Sequence, residues 1–145
     1  MKKKLIIILV LIAVAIGGWY GYNEYNRKNK DLADVDTKIM VTAGTLVTDF
    51  EKDSATANQK YLGAIIAVTG TVKSIEKENG GTVVLSEPGA MSSVRCSMDT
   101  THLNELNAIK EGQQIKIKGA CTGYQPDEMG LGADVILNRC VIETK

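Results

Sequence analysis

Three cysteines, Cys96, Cys121 and Cys140, and a single histidine, His102, are the side chains of this 145-residue chain with the widest chemical range. A structural zinc site needs four ligands, usually in close pairs. Three thiols without a Cys-x-x-Cys and one imidazole do not supply that set, so no metal site is expected. In an oxidising compartment two of the thiols can bridge; otherwise all three act as small hydrophobes in a core. His102 lies by a helix start, where a general base is conceivable and a solvated surface residue is the commoner outcome. Gly130-Leu131-Gly132 is a lone G-x-G in a loop and reads as flexibility rather than as a nucleotide cradle. Asp127-Glu128 is adjacent rather than opposed across a cleft, so it is not a glycosidase pair. With no nucleophile elbow, phosphate loop or H-E-x-x-H, the sequence shows no catalytic constellation and implies no cofactor; the chain reads as a non-enzyme.

These residues must be carried by the elements that the apolar pattern defines. From Thr42, helical spacing puts Ala43, Leu46, Val47, Phe50, Ala57 and Tyr61 largely on one stripe, with Gly63 as a stop. The period then drops to two. Ile66, Val68, Gly70 and Val72 alternate with Ala67, Thr69, Thr71 and Lys73, and the mid-strand Gly70 suits a bulge or bend. Asn79-Gly80 is a hairpin signal, so Thr82 to Ser86 should return antiparallel before Pro88-Gly89 breaks the chain. A third strand near Val94 to Met98 carries Val94, Cys96 and Met98 on one face and Arg95 and Ser97 on the other. Asp99 to Thr101 cap a short helix through Leu103, Leu106 and Ile109, which Gly112 ends. A fourth strand, Ile115 to Cys121, and a fifth, Val135 to Ile142, follow.

Five strands with a bent first strand and a helix between the third and fourth are the layout of an oligonucleotide/oligosaccharide-binding (OB) barrel. The expected class is mainly β (α+β), with an SH3-like barrel as the competing small β domain. In an OB barrel the third strand lies beside the fifth, which makes Cys96 the better partner for Cys140. Cys121 would sit too far from Cys140 along a hairpin folded near Asp127. Such barrels commonly bind ligands around their second and third strands, where Thr82, Val84, Arg95 and Ser97 would face outward.

Ahead of this domain, Leu5 to Ile16 is an unbroken apolar run, extended by Gly17-Gly18-Trp19-Tyr20-Gly21-Tyr22 to eighteen residues. As a helix it would span roughly 27 Å, enough to cross a hydrocarbon core. Lys2 to Lys4 precede it and amphipathic rings end it, a pattern that places the amino terminus in the cytoplasm and the body outside. Arg27, Lys28 and Lys30 weaken that bias. The competing reading is a cleaved signal peptide with Ala13-Val14-Ala15 as the small-x-small triplet. The expected organisation is therefore an anchor over residues 1–22, a polar spacer over 23–41 and an OB domain with its leading helix over 42–145.

The formal charge is zero over the chain, but the first thirty residues hold six basic groups and one acidic one, leaving residues 31–145 at −5. A phosphate backbone gains most of its affinity from Lys and Arg, so that balance opposes non-specific nucleic-acid binding. After residue 30 the only aromatic side chains are Phe50, Tyr61 and Tyr124, few for stacking bases.

Ala57 through Tyr61-Leu62-Gly63, Val68-Thr69-Gly70-Thr71-Val72, Val94-Arg95-Cys96, Gly112, Lys118-Gly119-Ala120-Cys121-Thr122-Gly123, Asp134-Val135-Ile136-Leu137 and Cys140 together resemble the bacterial tRNA anti-like family of OB domains. The resemblance covers roughly residues 43–143, and its motifs are mostly turn glycines, strand apolars and cysteines. It implies the OB fold and, as is common in that family, attachment at the cell envelope. The reading that follows is a single-pass protein of the bacterial cytoplasmic membrane whose carboxy-terminal domain is an extracytoplasmic binding module for a protein or envelope glycan. The alternative is a single-stranded nucleic-acid-binding OB domain, motivated by fold and family alone.

Overall fold

The computed structural model describes residues 2–26, 31–78, 80–126, 128–129 and 132–143, without the side chains of Lys2 to Leu5, Ile7 and Leu9. Arg27, Lys28, Lys30, Asn79, Asp127, Gly130 and Leu131, all named above, lie outside the described residues. The chain divides into two units, Met1–Lys30 and Asp31–Lys145.

The first unit is one α-helix, α1 (Lys2–Tyr25), 24 residues long. Its described apolar side chains are exposed all the way round, from Ile6 to Tyr25, with no buried stripe. Among the described residues, no helix is long and apolar enough to cross a membrane.

The second unit contains β1 (Ile39–Thr42), α2 (Ala43–Lys52), α3 (Ser54–Tyr61), β2 (Ile65–Glu76), β3 (Thr82–Ser86), β4 (Ser93–Met98), a 3-10 helix (Thr100–Asn107), β5 (Gln114–Gln125) and β6 (Asp134–Ile142). The sheet runs β1-β2-β3-β4-β6-β5, and β5 returns to β2, which closes a five-stranded barrel from β2 to β6. All barrel pairs are antiparallel except β4 with β6. This closed barrel, with a helix between its third and fourth strands, is the OB layout that the element order predicts.

Why these residues form it follows from their alternation. Ile66, Val68 and Val72 on β2, Val83 and Leu85 on β3, Val94 and Cys96 on β4, Ile117 and Cys121 on β5, and Val135 and Leu137 on β6 all point into one core. α2 closes it with Leu46 and Phe50, and each such large side chain contributes ~1.5–3 kcal/mol by leaving water.

Three expectations need correction. The single leading helix is two. Asp53, at φ −153 and ψ 89, ends α2 and accepts from the Ala55 and Thr56 amides of α3, because a short carboxylate competes with the helical backbone for its own hydrogen bonds. The stripe nevertheless holds, since all six of its residues are in the core. Gly70 is not the bulge. The register of β2 against β3 slips between Val72 and Ser74, whereas a Cβ at Gly70 would lie 3.0 Å from the Ala43 Cβ and 3.1 Å from the Leu85 Cβ. Glycine is needed there so that α2 can approach the strand.

The third correction concerns the polar spacer. From Asp31 onward it is folded: Leu32–Asp34 is a 3-10 turn with Leu32 buried, and Ile39–Thr42 adds to β2 as a parallel strand.

Candidate functional site

β3 and β4 pair in a register that sets Thr82 opposite Ser97 and Val84 opposite Arg95. All four residues expected at the binding face therefore share one patch, bordered on β2 by Glu76 opposite Thr82 and Ser74 opposite Val84. Thr82, Arg95 and Ser97 are half-exposed, but Val84 is 5% exposed although it lies outside the barrel core. It underlies the face instead of presenting itself to a ligand.

The electrostatics of the patch are close to neutral. The Arg95 Nη2 is 3.4 Å from the Glu76 Oε2, both side chains being about half in water, a pair worth at most ~1 kcal/mol. The Ser93 hydroxyl donates to the Asp134 carboxylate. A shallow polar pocket of about 300 Å³ lies beside them, lined by Arg95, Gln125, Pro126, Gly132 and Asp134. The chemistry available is hydroxyl, amide, two carboxylates and one partnered guanidinium, suited to hydrogen bonding.

The aromatic rings of this unit are committed elsewhere. Phe50 stacks on Tyr124 with centroids 5.0 Å apart, and Phe50 and Tyr61 lie 5.9 Å apart. The Tyr61 hydroxyl donates to the Asp49 carboxylate at 2.6 Å, which also receives Lys60. That bond lowers the Asp49 pKa below the usual carboxylate range, and burial raises that of the Tyr61 phenol.

The cysteines are three buried free thiols. Burial pushes Cys121 up to about 11, and the neighbouring Cys96 thiol, together with burial, raises Cys140 well above its ordinary value. The expected Cys96–Cys140 bridge is thus a contact between thiols in this structure. The strand register sets Cys140 opposite Met98 and Cys96 opposite Leu137. Protonated and buried thiols are poor nucleophiles. Among the described residues, no group of three or more His, Cys, Asp or Glu side chains could hold a metal ion.

His102 departs most from expectation. It is not a solvated surface residue: its side chain is 18% exposed, with Nε2 2.8 Å from the Asp31 Oδ2 and Nδ1 2.7 Å from the Glu105 Oε1. Hydrogen bonds to two carboxylate oxygens require a proton on both nitrogens, which leaves no lone pair for base catalysis. The bond to Asp31 raises the His102 pKa, as does Glu105, against the opposing effect of burial. The three-residue spacing of His102 and Glu105 was visible in the sequence; Asp31, 71 residues away, was not.

A closed five-stranded barrel with an open polar face on its second and third strands makes this an OB-fold protein. The chain belongs to the tRNA_anti-like family, whose model matches residues 1–141. Among solved structures it is similar to a Klebsiella pneumoniae lipoprotein described as a candidate nucleic acid-binding protein, with 13% identity and a TM-score of 0.58 over 81% of this chain and 100% of that one. A replication factor A related protein from Methanobacterium thermoautotrophicum is 22% identical, with a TM-score of 0.39 over 57% of this chain and 81% of that one. A Leishmania major protein described as a candidate aspartyl-tRNA synthetase is 8% identical, with a TM-score of 0.46 over 89% of this chain and 26% of that one. No curated protein sequence matches the chain.

Proposed function

We propose that this protein is a non-catalytic binding module whose β3–β4 face recognises another protein at the cell envelope. One observation carries the reading: Phe50, Tyr61 and Tyr124, the only aromatic residues after residue 30, pack against one another, so none is left as a stacking platform on that face. Bases and sugar rings both rely on such platforms, and the face's Arg95 is already matched by Glu76. A polar, nearly neutral, hydroxyl-bearing surface instead suits hydrogen-bonded contact with a protein, with an envelope glycan as the weaker candidate. A photo-crosslinking residue placed at Ser97 in cells is expected to give a discrete protein adduct that one placed at the exposed Asn58 does not. Equal adducts from both positions would count against the face.

Attachment through the amino-terminal segment belongs to the same proposal. The full run from Leu5 to Tyr22 includes apolar residues whose side chains are not among those described, and its length and flanks support a single pass with the body outside the cytoplasm. Resistance to alkaline carbonate extraction and digestion of the body by protease added to spheroplasts test it. A body protected in intact spheroplasts would reverse the topology.

The second reading, single-stranded nucleic-acid binding, is favoured by the OB fold and the family alone.

A further inference from the structure

The segment that leads into the barrel is held down by ionisable groups. Leu32 is buried at 3% exposure, and the Asp31 Oδ1 accepts from the Ala33 amide at 2.9 Å. The Lys118 ammonium, on a side chain only 7% exposed, donates to the Ala33 and Val35 carbonyl oxygens at 3.2 and 2.8 Å. His102 holds Asp31 from one side and Glu105 from the other, over a cavity of about 250 Å³ floored by Val141 and Ile142.

The two carboxylates on His102 are not equivalent. The Glu105 Oε2 also accepts the Ile142 amide at 3.0 Å, which ties Glu105 to the end of β6. Among the described residues, Asp31 is fixed by its local turn and by His102, with the charge of Arg139 nearby. Arg139 itself sits at φ +56 in β6, a conformation that costs any residue with a Cβ energy, and places its Nε 3.9 Å from Asp99. The remaining charges around the cluster are Glu143 and Lys116, which pair with each other, and Lys118, 3.6 Å from Glu143.

We propose that residues Asp31–Val35 form a strap on the barrel that the protonated His102 ring fastens and that loosens when the ring loses a proton. A neutral imidazole has one N–H, so one of its two carboxylates must then face a lone pair. Glu105 keeps its amide partner, and Asp31 is the group that leaves. The direction follows from the ring's raised pKa: its contribution to holding the strap is complete below the unfolded value and is lost as pH rises through the folded one. Asp31, whose pKa is lowered chiefly by the Ala33 amide and then by His102, sets the acid limit, because its protonation also removes the pair. The strap is tightest between those limits.

Amide hydrogen exchange on the full chain in detergent micelles tests this, with rates corrected for the intrinsic effect of pH. Protection of the Ala33 to Val35 amides should fall about threefold or more as pH rises through the titration of His102 observed by NMR, while β4–β6 amides keep theirs. Asp31→Asn should hold strap protection near the wild-type high-pH level throughout and abolish the step. Strap protection that does not change as His102 titrates, or a step that persists in Asp31→Asn, would overturn the proposal.

Discussion

The ring of Phe50 on α2 stacks on Tyr124 of β5, with centroids 5.0 Å apart and planes 15° from parallel. That contact packs α2 against β5. Phe50→Ala should therefore destabilise the domain by ~3–5 kcal/mol, since it leaves a cavity between two rings. Phe50→Leu should cost much less. Urea unfolding followed by circular dichroism measures both, and equal losses would mean that an aliphatic filler cannot replace the stacked ring.

Gly70 sets the distance between α2 and β2. Gly70→Ala should cost ~1–3 kcal/mol by overpacking against Ala43 and Leu85. Ala43→Gly in the same chain should recover part of that loss, because it removes the atom 3.0 Å from the new methyl. No recovery in the double variant would place the strain elsewhere.

Asp53 serves two helices, ending α2 with its amide and starting α3 with its carboxylate. Asp53→Ala should lower the thermal midpoint more than Asp53→Asn, which keeps a capping oxygen. The Thr56 hydroxyl and amide hold its pKa below the ordinary value, so its contribution is present above that value and is lost on acidification. The gap between wild type and Asp53→Asn should consequently narrow as pH falls through the carboxylate range.

The thiols should be silent in the folded protein. Cys121, pushed up to about 11 by burial, and Cys140, raised well above its ordinary value by the adjoining Cys96 and by burial, are thiols at neutral pH and lie at 0% exposure. A disulfide reagent at neutral pH should react slowly with the native protein and with three groups after unfolding in urea. A single reactive thiol after unfolding protein isolated from cells under a blocking reagent would show that two of the three bridge in the cell, and a peptide map would tell whether they are Cys96 and Cys140.

Much of the barrel was legible because its strands alternate cleanly: Val94, Cys96 and Met98 against Arg95 and Ser97 already gave the two faces of β4. The register that gathers Thr82, Val84, Arg95 and Ser97 followed from the same alternation, while the burial of Val84 did not, because cover from the outer face is a tertiary matter. The break at Asp53 was hidden since the apolar stripe continues across it. β1 was hidden by its length: four residues with no partner in sequence carry too little pattern to separate from a spacer. The Asp31–His102 pair was invisible for a stronger reason, as two polar residues 71 positions apart leave no periodic trace. Only the fold brings them together.

The most direct test of the protein-binding reading is fluorescence anisotropy of labelled single-stranded DNA and RNA with the full chain in detergent micelles at low salt, where phosphate contacts are strongest. We expect no saturable binding, because the three body aromatics are packed together and Arg95 is matched by Glu76. Saturable binding that weakens steeply with added salt and is lost in Arg95→Glu would contradict that reading and assign the β3–β4 face to nucleic acid.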